Sequence, residues 1–149
     1  MKLHTLEIKT QPQISPHPCG DCTVVLEAPA EFSLYDLANA ILEAIDFDND
    51  HAFGFHDNLK NPYRSKESYT LFADQGEAED EAAKGVSDTE IGEVFARKGK
   101  KMLFHFDYGD DWQFLVTCLG IQPLDKARKA IQMMSITGKP PVQYPDYEE

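Results

Sequence analysis

Three imidazoles and three carboxylates carry the chemistry open to this sequence: His51, His56, His105, Asp107, Asp110 and Asp111. Gathered in one pocket, such groups would hold a metal ion or share acid–base work. A neutral imidazole is both a ligand and a base near pH 7, and a carboxylate beside it fixes its orientation. Each also has a plainer reading. Asp110 and Asp111 fall at a turn, where Asp tolerates unusual backbone angles and accepts nearby N–H groups. His105 reads equally well as a satisfied, part-buried side chain.

Two further motifs invite metal. Cys19-Gly20-Asp21-Cys22 is a C-x-x-C with His17 two residues before it, and only Cys118 remains as a further thiol. A structural zinc site wants four ligands, usually two such pairs, so Cys19 and Cys22 are weak candidates and read as an ordinary loop pair. Asp46-Phe47-Asp48-Asn49-Asp50 has the spacing that opens a calcium loop. His51 stands where that loop needs glycine and Asp57 where it needs glutamate, so the stretch reads as a solvated turn. No phosphate-cradling glycine loop, G-x-S-x-G elbow or H-E-x-x-H helix is present, and Ser65, Ser68 and Ser87 have no histidine close in sequence.

The elements that must position these residues are legible from periodicity. Leu3–Lys9 and Thr23–Glu27 alternate as strands, separated by a loop carrying Pro12, Pro16 and Pro18. Ser33 caps a helix with Asp36 at its third position, and Leu34, Leu37, Ala38, Ile41, Leu42 and Ile45 share one face. His51–His56 and Ser68–Ala73 are short strands, the second at an edge. Residues 74–84 are acidic, without apolar anchors, and read as a solvated loop. Ser87 and Glu90 form the capping box of a second helix that stops at Gly99. Strands Lys101–Tyr108 and Trp112–Leu119 follow. A third helix opens at Pro123, with Leu124, Ala127, Ile131 and Met134 on one side, and ends at Gly138.

The paired strands read K-M-L-F-H-F-D-Y-G-D-D-W-Q-F-L-V-T-C-L. A three-residue loop, Gly109–Asp111, sets Tyr108 against Trp112 and Phe106 against Phe114, whereas a two-residue loop mismatches the apolar faces. Within this hairpin, F-D-Y-G-D-D-W resembles the Y-D-F-G-D-x-W hallmark of the plasmid pRiA4b ORF-3-like family. The capped helix at Ser33 and the Asp50-His51…Phe55 strand are also similar to that family's blocks, in the same order, over roughly residues 3–122. The resemblance implies that His51 and the hairpin acids belong to one pattern. It also implies an accessory role of the kind played by passenger proteins of mobile elements. Relatives often carry Trp where Phe47 stands, an Arg in the strand at Thr23–Glu27, and a Cys- and Gly-bearing end in place of P-P-V-Q-Y-P-D-Y-E-E.

Composition bounds the partners. With 26 acidic and 14 basic side chains, a formal charge of −12 repels phosphate backbones and argues against nucleic acid as a direct partner. No apolar run reaches the ~20 residues of a membrane span, and three cysteines argue against a secreted disulfide scaffold. The expectation is a cytoplasmic, single-domain α+β protein, a mainly antiparallel sheet packed against two or three helices over residues 1–138, with a Pro-rich tail from 139 to 149. Its expected role is that of a binding module offering His51, Phe55, His105, Asp107, Tyr108, Asp110 and Trp112 to a protein partner. No catalytic residue or cofactor is assigned. The rival reading is a small metal-dependent enzyme using His51, His105, Asp107 and Asp110.

Overall fold

A computed structural model describes residues 1–11, 20–74 and 83–144, so Cys19 and most of the acidic stretch lie outside the described residues. Eight strands form one sheet in the order β5-β4-β3-β6-β7-β1-β2-β8. They are β1 (Lys2–Thr10), β2 (Cys22–Pro29), β3 (Phe53–His56), β4 (Ser68–Thr70), β5 (Lys84–Gly85), β6 (Lys101–Phe106), β7 (Trp112–Pro123) and β8 (Gln132–Gly138). All pair antiparallel except β4 with β5, which makes the sheet mixed. Alternation does what the sequence pattern requires. Phe53, Phe55, Phe104, Phe106, Trp112, Phe114, Val116, Leu6, Ile8, Val24 and Leu26 are all buried in a single core.

One helix closes that core. Helix α1 (Leu34–Ala44) buries Leu34, Leu37, Ala38, Ile41 and Leu42. Its start is fixed reciprocally: the Asp36 N–H donates to Ser33 Oγ at 3.1 Å, and the Ser33 N–H donates to Asp36 Oδ2 at 3.3 Å. Two orphan amides are satisfied there, so Ser33→Ala is expected to cost about 1 kcal/mol, read as a lower urea midpoint at unchanged slope. An unchanged midpoint would show that the cap contributes nothing.

The expected packing of a sheet against two or three helices is corrected. Among the described residues, helix apart from α1 is confined to single turns: α2 (Leu71–Asp74), α3 (Ile91–Val94) and a 3-10 turn at Pro62–Arg64. The second expected helix shrinks because its cap moves from Ser87 to Glu90. There the backbone N–H donates to the Glu93 carboxylate at 2.7 Å, and the turn ends at Phe95. Of the third expected helix, Gln132–Gly138 is strand β8, Pro123 ends β7, and residues 124–131 form neither helix nor strand. The apolar stripe of that helix was only four residues long, whereas β2 offers an open edge whose N–H and C=O groups need partners. β8 supplies them in register from Cys22↔Gly138 to Glu27↔Gln132, with one bulge. Gly138 is required at that corner. Its φ is +80°, and a Cβ there would overlap the Asp21 carbonyl oxygen.

Ser68–Ala73 is also revised. It divides into β4 and α2, and β5 rather than β4 forms the sheet edge.

Candidate functional site

The hairpin between β6 and β7 departs from its expected register. Phe106 faces Trp112, His105 faces Gln113 and Phe104 faces Phe114, so the connection is Asp107–Asp111 and Tyr108 leaves the ladder. The shift is two residues, which keeps the paired side chains on their expected faces, whereas Tyr108 crosses to the His105 side and Asp107 to the His51 side. Its cause is Asp107. This residue takes φ +59°, its carbonyl accepts the Asp111 N–H at 2.6 Å, and its Oδ1 accepts the Asp110 N–H at 3.2 Å. Asp111 also takes φ +59°. Asp is among the few residues that adopt this conformation readily, because its short carboxylate bonds the local backbone. Asp107 is buried, and its own N–H donates to the Ala52 carbonyl at 2.9 Å, which ties the turn to the approach of β3.

The turn divides the candidate residues into two groups. At the core-side end, His51 stands edge-on to Phe106, with ring centroids 6.2 Å apart. Its Nε2 lies 3.4 Å from Asp107 Oδ2 and 3.6 Å from Asp50 Oδ1. The Tyr144 hydroxyl donates to Asp50 Oδ2 at 2.7 Å, which spends its single proton. His51 Nε2, 2.9 Å from the Tyr144 hydroxyl oxygen, therefore donates to that oxygen. The bond to Asp50 and the surrounding carboxylates hold the Tyr144 phenol up at about 12. Gln143 completes the group with bonds to Asp48 and Asp50.

On the sheet face away from α1, His105 is fully buried. Its Nε2 lies 2.6 Å from Asp111 Oδ1, which also accepts from Gln113 at 2.9 Å. A carboxylate acceptor fixes the tautomer, so Nε2 carries the proton. Burial lowers the His105 pKa against the pull of Asp111. Beside it, at 6.2 Å between ring centroids, His56 is pushed down to about 4, by burial first and then by His105. His56 Nδ1 meets Ser68 Oγ at 2.9 Å across the β3–β4 pair. Tyr108 lies 4.7 Å from the His105 ring and Tyr63 5.8 Å from it, with Phe72 against Tyr108. Burial, with Tyr63 adding to it, raises the Tyr108 phenol to about 12.

A family model described as plasmid pRiA4b ORF-3-like protein matches residues 25–143, a span holding both groups up to Gln143. The chain belongs to the plasmid pRiA4b ORF-3-like family. No curated protein matches it. A crystal structure of a protein of unknown function from Methanosarcina mazei Go1 is similar, with a TM-score of 0.67 and 17% identity over 93% of this chain and 71% of that one. At that identity the likeness establishes the fold alone. The family description names no activity and the neighbour's function is unknown.

For this family member, the hairpin acids and histidines that the sequence grouped together do not form one centre. His51 goes with Asp107 and Asp50, whereas His105 goes with Asp111 and His56. Among the described residues, no three His, Cys, Asp or Glu side chains are grouped to hold a metal ion. Cys22 and Cys118 are buried free thiols whose pKa values burial raises. Cys19 lies outside the described residues, so the C-x-x-C has no structural counterpart to describe. Phe55 and Trp112 lie inside the structure rather than on its surface. Both are core residues, Phe55 stacked on Phe104 at 4.9 Å and Trp112 edge-on to Phe47 at 5.1 Å. The turn at Asp46–Asp50 is organised by hydrogen bonds to Gln143.

Four participants escaped sequence reading: Ser68, Tyr63, Gln143 and Tyr144. Ser68 reaches His56 only through strand pairing. Tyr63 sits on a 3-10 turn and Gln143-Tyr144 in a Pro-rich stretch, and neither setting has a hydrophobic period that would single them out.

Proposed function

We propose that the protein is a cytoplasmic binding module whose contact surface is the hairpin end of the sheet. The observation that carries this reading is the exposure of aromatic rings around the turn. Tyr63 is 75% exposed, Tyr144 54% and Phe72 37%. Tyr63 and Phe72 flank Tyr108 and His105 on the side that carries Asp111, an apolar patch with an acidic edge suited to protein contact, while Tyr144 stands with His51 and Asp50 in the other group. The formal charge of −12 favours a partner with a basic or apolar face. Tyr63 and Phe72 take the place of Phe55 and Trp112 as the aromatic contacts, while His51, Tyr108 and Asp110 keep their place in the surface. The free thiols at Cys22 and Cys118 suit the cytoplasm. No helix among the described residues is long and apolar enough to cross a membrane.

A photo-reactive phenylalanine at position 63 is expected to capture a discrete partner in cells. The same probe at position 119, also exposed but seven residues along β7 from the hairpin, is expected to capture none. With the captured partner purified, Tyr63→Ala is expected to weaken the complex roughly 30-fold, the effect of a central aromatic contact. Equal capture at both positions, or an unchanged affinity, would refute the assignment of this surface.

A further inference from the structure

Gln143 and Tyr144 lie on the hairpin end as a bound peptide would. From Pro141 to Tyr144 the side chains alternate buried, exposed, buried, exposed, so that every second one is pocketed as the backbone bends at Gln143 and Tyr144. The buried Gln143 uses both arms of its amide. Its Oε1 accepts the Asp48 N–H at 2.6 Å, and its Nε2 donates to the Asp48 carbonyl at 3.0 Å and to Asp50 Oδ1 at 3.0 Å. Tyr144 then places its hydroxyl between Asp50 Oδ2 at 2.7 Å and His51 Nε2 at 2.9 Å. Every receptor group comes from one turn, Asp48–His51, backed by Asp107.

These contacts select chemistry. Only a primary amide offers an acceptor to Asp48 N–H and donors to Asp48 C=O and Asp50 from one side chain. A phenol at the next position suits a carboxylate acceptor beside an imidazole donor. We propose that the Asp48–His51 turn is a recognition site for a peptide carrying glutamine followed by tyrosine, filled in cis by Gln143-Tyr144. The inference rests on reading the hairpin end as a contact surface, and it names the partner's chemistry there. A partner segment binds by displacing the cis segment, so Gln143-Tyr144 sets the threshold for engagement. A tethered segment competes at an effective concentration in the mM range. For a peptide of Kd near 100 μM, that competition amounts to about a 10-fold loss of apparent affinity.

The probe is a fluorescein-labelled Lys-Pro-Pro-Val-Gln-Tyr peptide, read by anisotropy against the full chain. The Gln143→Ala/Tyr144→Ala variant is expected to bind it about 10-fold more tightly than the unaltered protein. Adding Asp50→Ala and His51→Ala is expected to abolish binding, as is a peptide with Leu for Gln and Phe for Tyr. A folded double variant that ignores the peptide up to mM concentrations overturns the proposal. So does binding indifferent to Asp50, His51 or the peptide's Gln-Tyr. Should the double variant fail to fold, excess peptide on the unaltered protein must shift the amide resonances of residues 48–51, and silence there overturns it. Capture through position 63 alongside a failed peptide titration would remove this inference and leave the contact surface standing.

Discussion

Trp112→Ala is expected to destabilise the protein by about 3–5 kcal/mol, the range for emptying a large aromatic site in a closed core. The indole is 2% exposed and stands at the start of β7, cross-strand from Phe106. It meets Phe47 edge-on at 5.1 Å and stacks with Phe114 at 6.3 Å. Phe47 leans on Phe106 and Phe114 as well, so one ring from the α1–β3 turn braces three rings of the hairpin. Removing Trp112 leaves a void bounded by sheet on one side and by that turn on the other. Neither wall can collapse without breaking the ladder or displacing Phe47. Trp112→Phe keeps most of the packing and is expected to cost less than half as much. Urea denaturation of both variants checks this, with the Ala variant losing the larger share of its midpoint. Equal, small losses would place Trp112 at the periphery. Because its role is packing, any partner binding lost in Trp112→Ala tracks the lost fold, which is why Tyr63 is the informative position.

The same hairpin shows what sequence can and cannot specify. Period-two alternation sorts Phe104, Phe106, Trp112, Phe114 and Val116 onto one face, and that is where they lie. Alternation is blind, however, to a slip of two residues, which moves every pair and changes no face. The register was decided by Asp107, through a left-handed backbone and hydrogen bonds to Asp110 and Asp111 that leave no periodic trace. Helix α1 was readable to its cap because cap, third residue and apolar stripe are all local. The stretch now in β8 was misread for the converse reason: its local pattern is weak, and the open edge of β2, some 100 residues earlier in the chain, determines its conformation. Long-range pairing likewise hid His56 from Ser68 and Asp48 from Gln143. The recognisable hairpin therefore identified the family, while the division of its histidines into two groups required the fold.

Acid is expected to weaken the fold through the second of those groups. His56 has an ordinary value of 6.5 and is pushed down to about 4 by burial, with the neighbouring His105 adding to the shift. Burial is possible because Gly54 has no side chain. The His56 ring folds over it, with Nε2 2.7 Å from where a Cβ would stand. As pH falls below 6.5, the unfolded imidazole takes up a proton that the folded one refuses, so stability drops with pH. The drop begins near 6.5 and is complete near 4, and above 6.5 His56 makes no difference. A displacement of this size corresponds to a loss on the order of 3 kcal/mol from His56 alone. His105 and His4, both lowered by burial, add to it in the same direction. Urea midpoints taken from pH 7.5 down to 4.5 should therefore fall steadily below 6.5. His56→Gln, which cannot titrate, is expected to flatten a large part of that slope despite its own fixed cost at neutral pH. Parallel slopes for variant and unaltered protein would assign the acid sensitivity to the carboxylates. A rise in stability on acidification would mean that the imidazole gains a proton on folding, contrary to its burial beside His105.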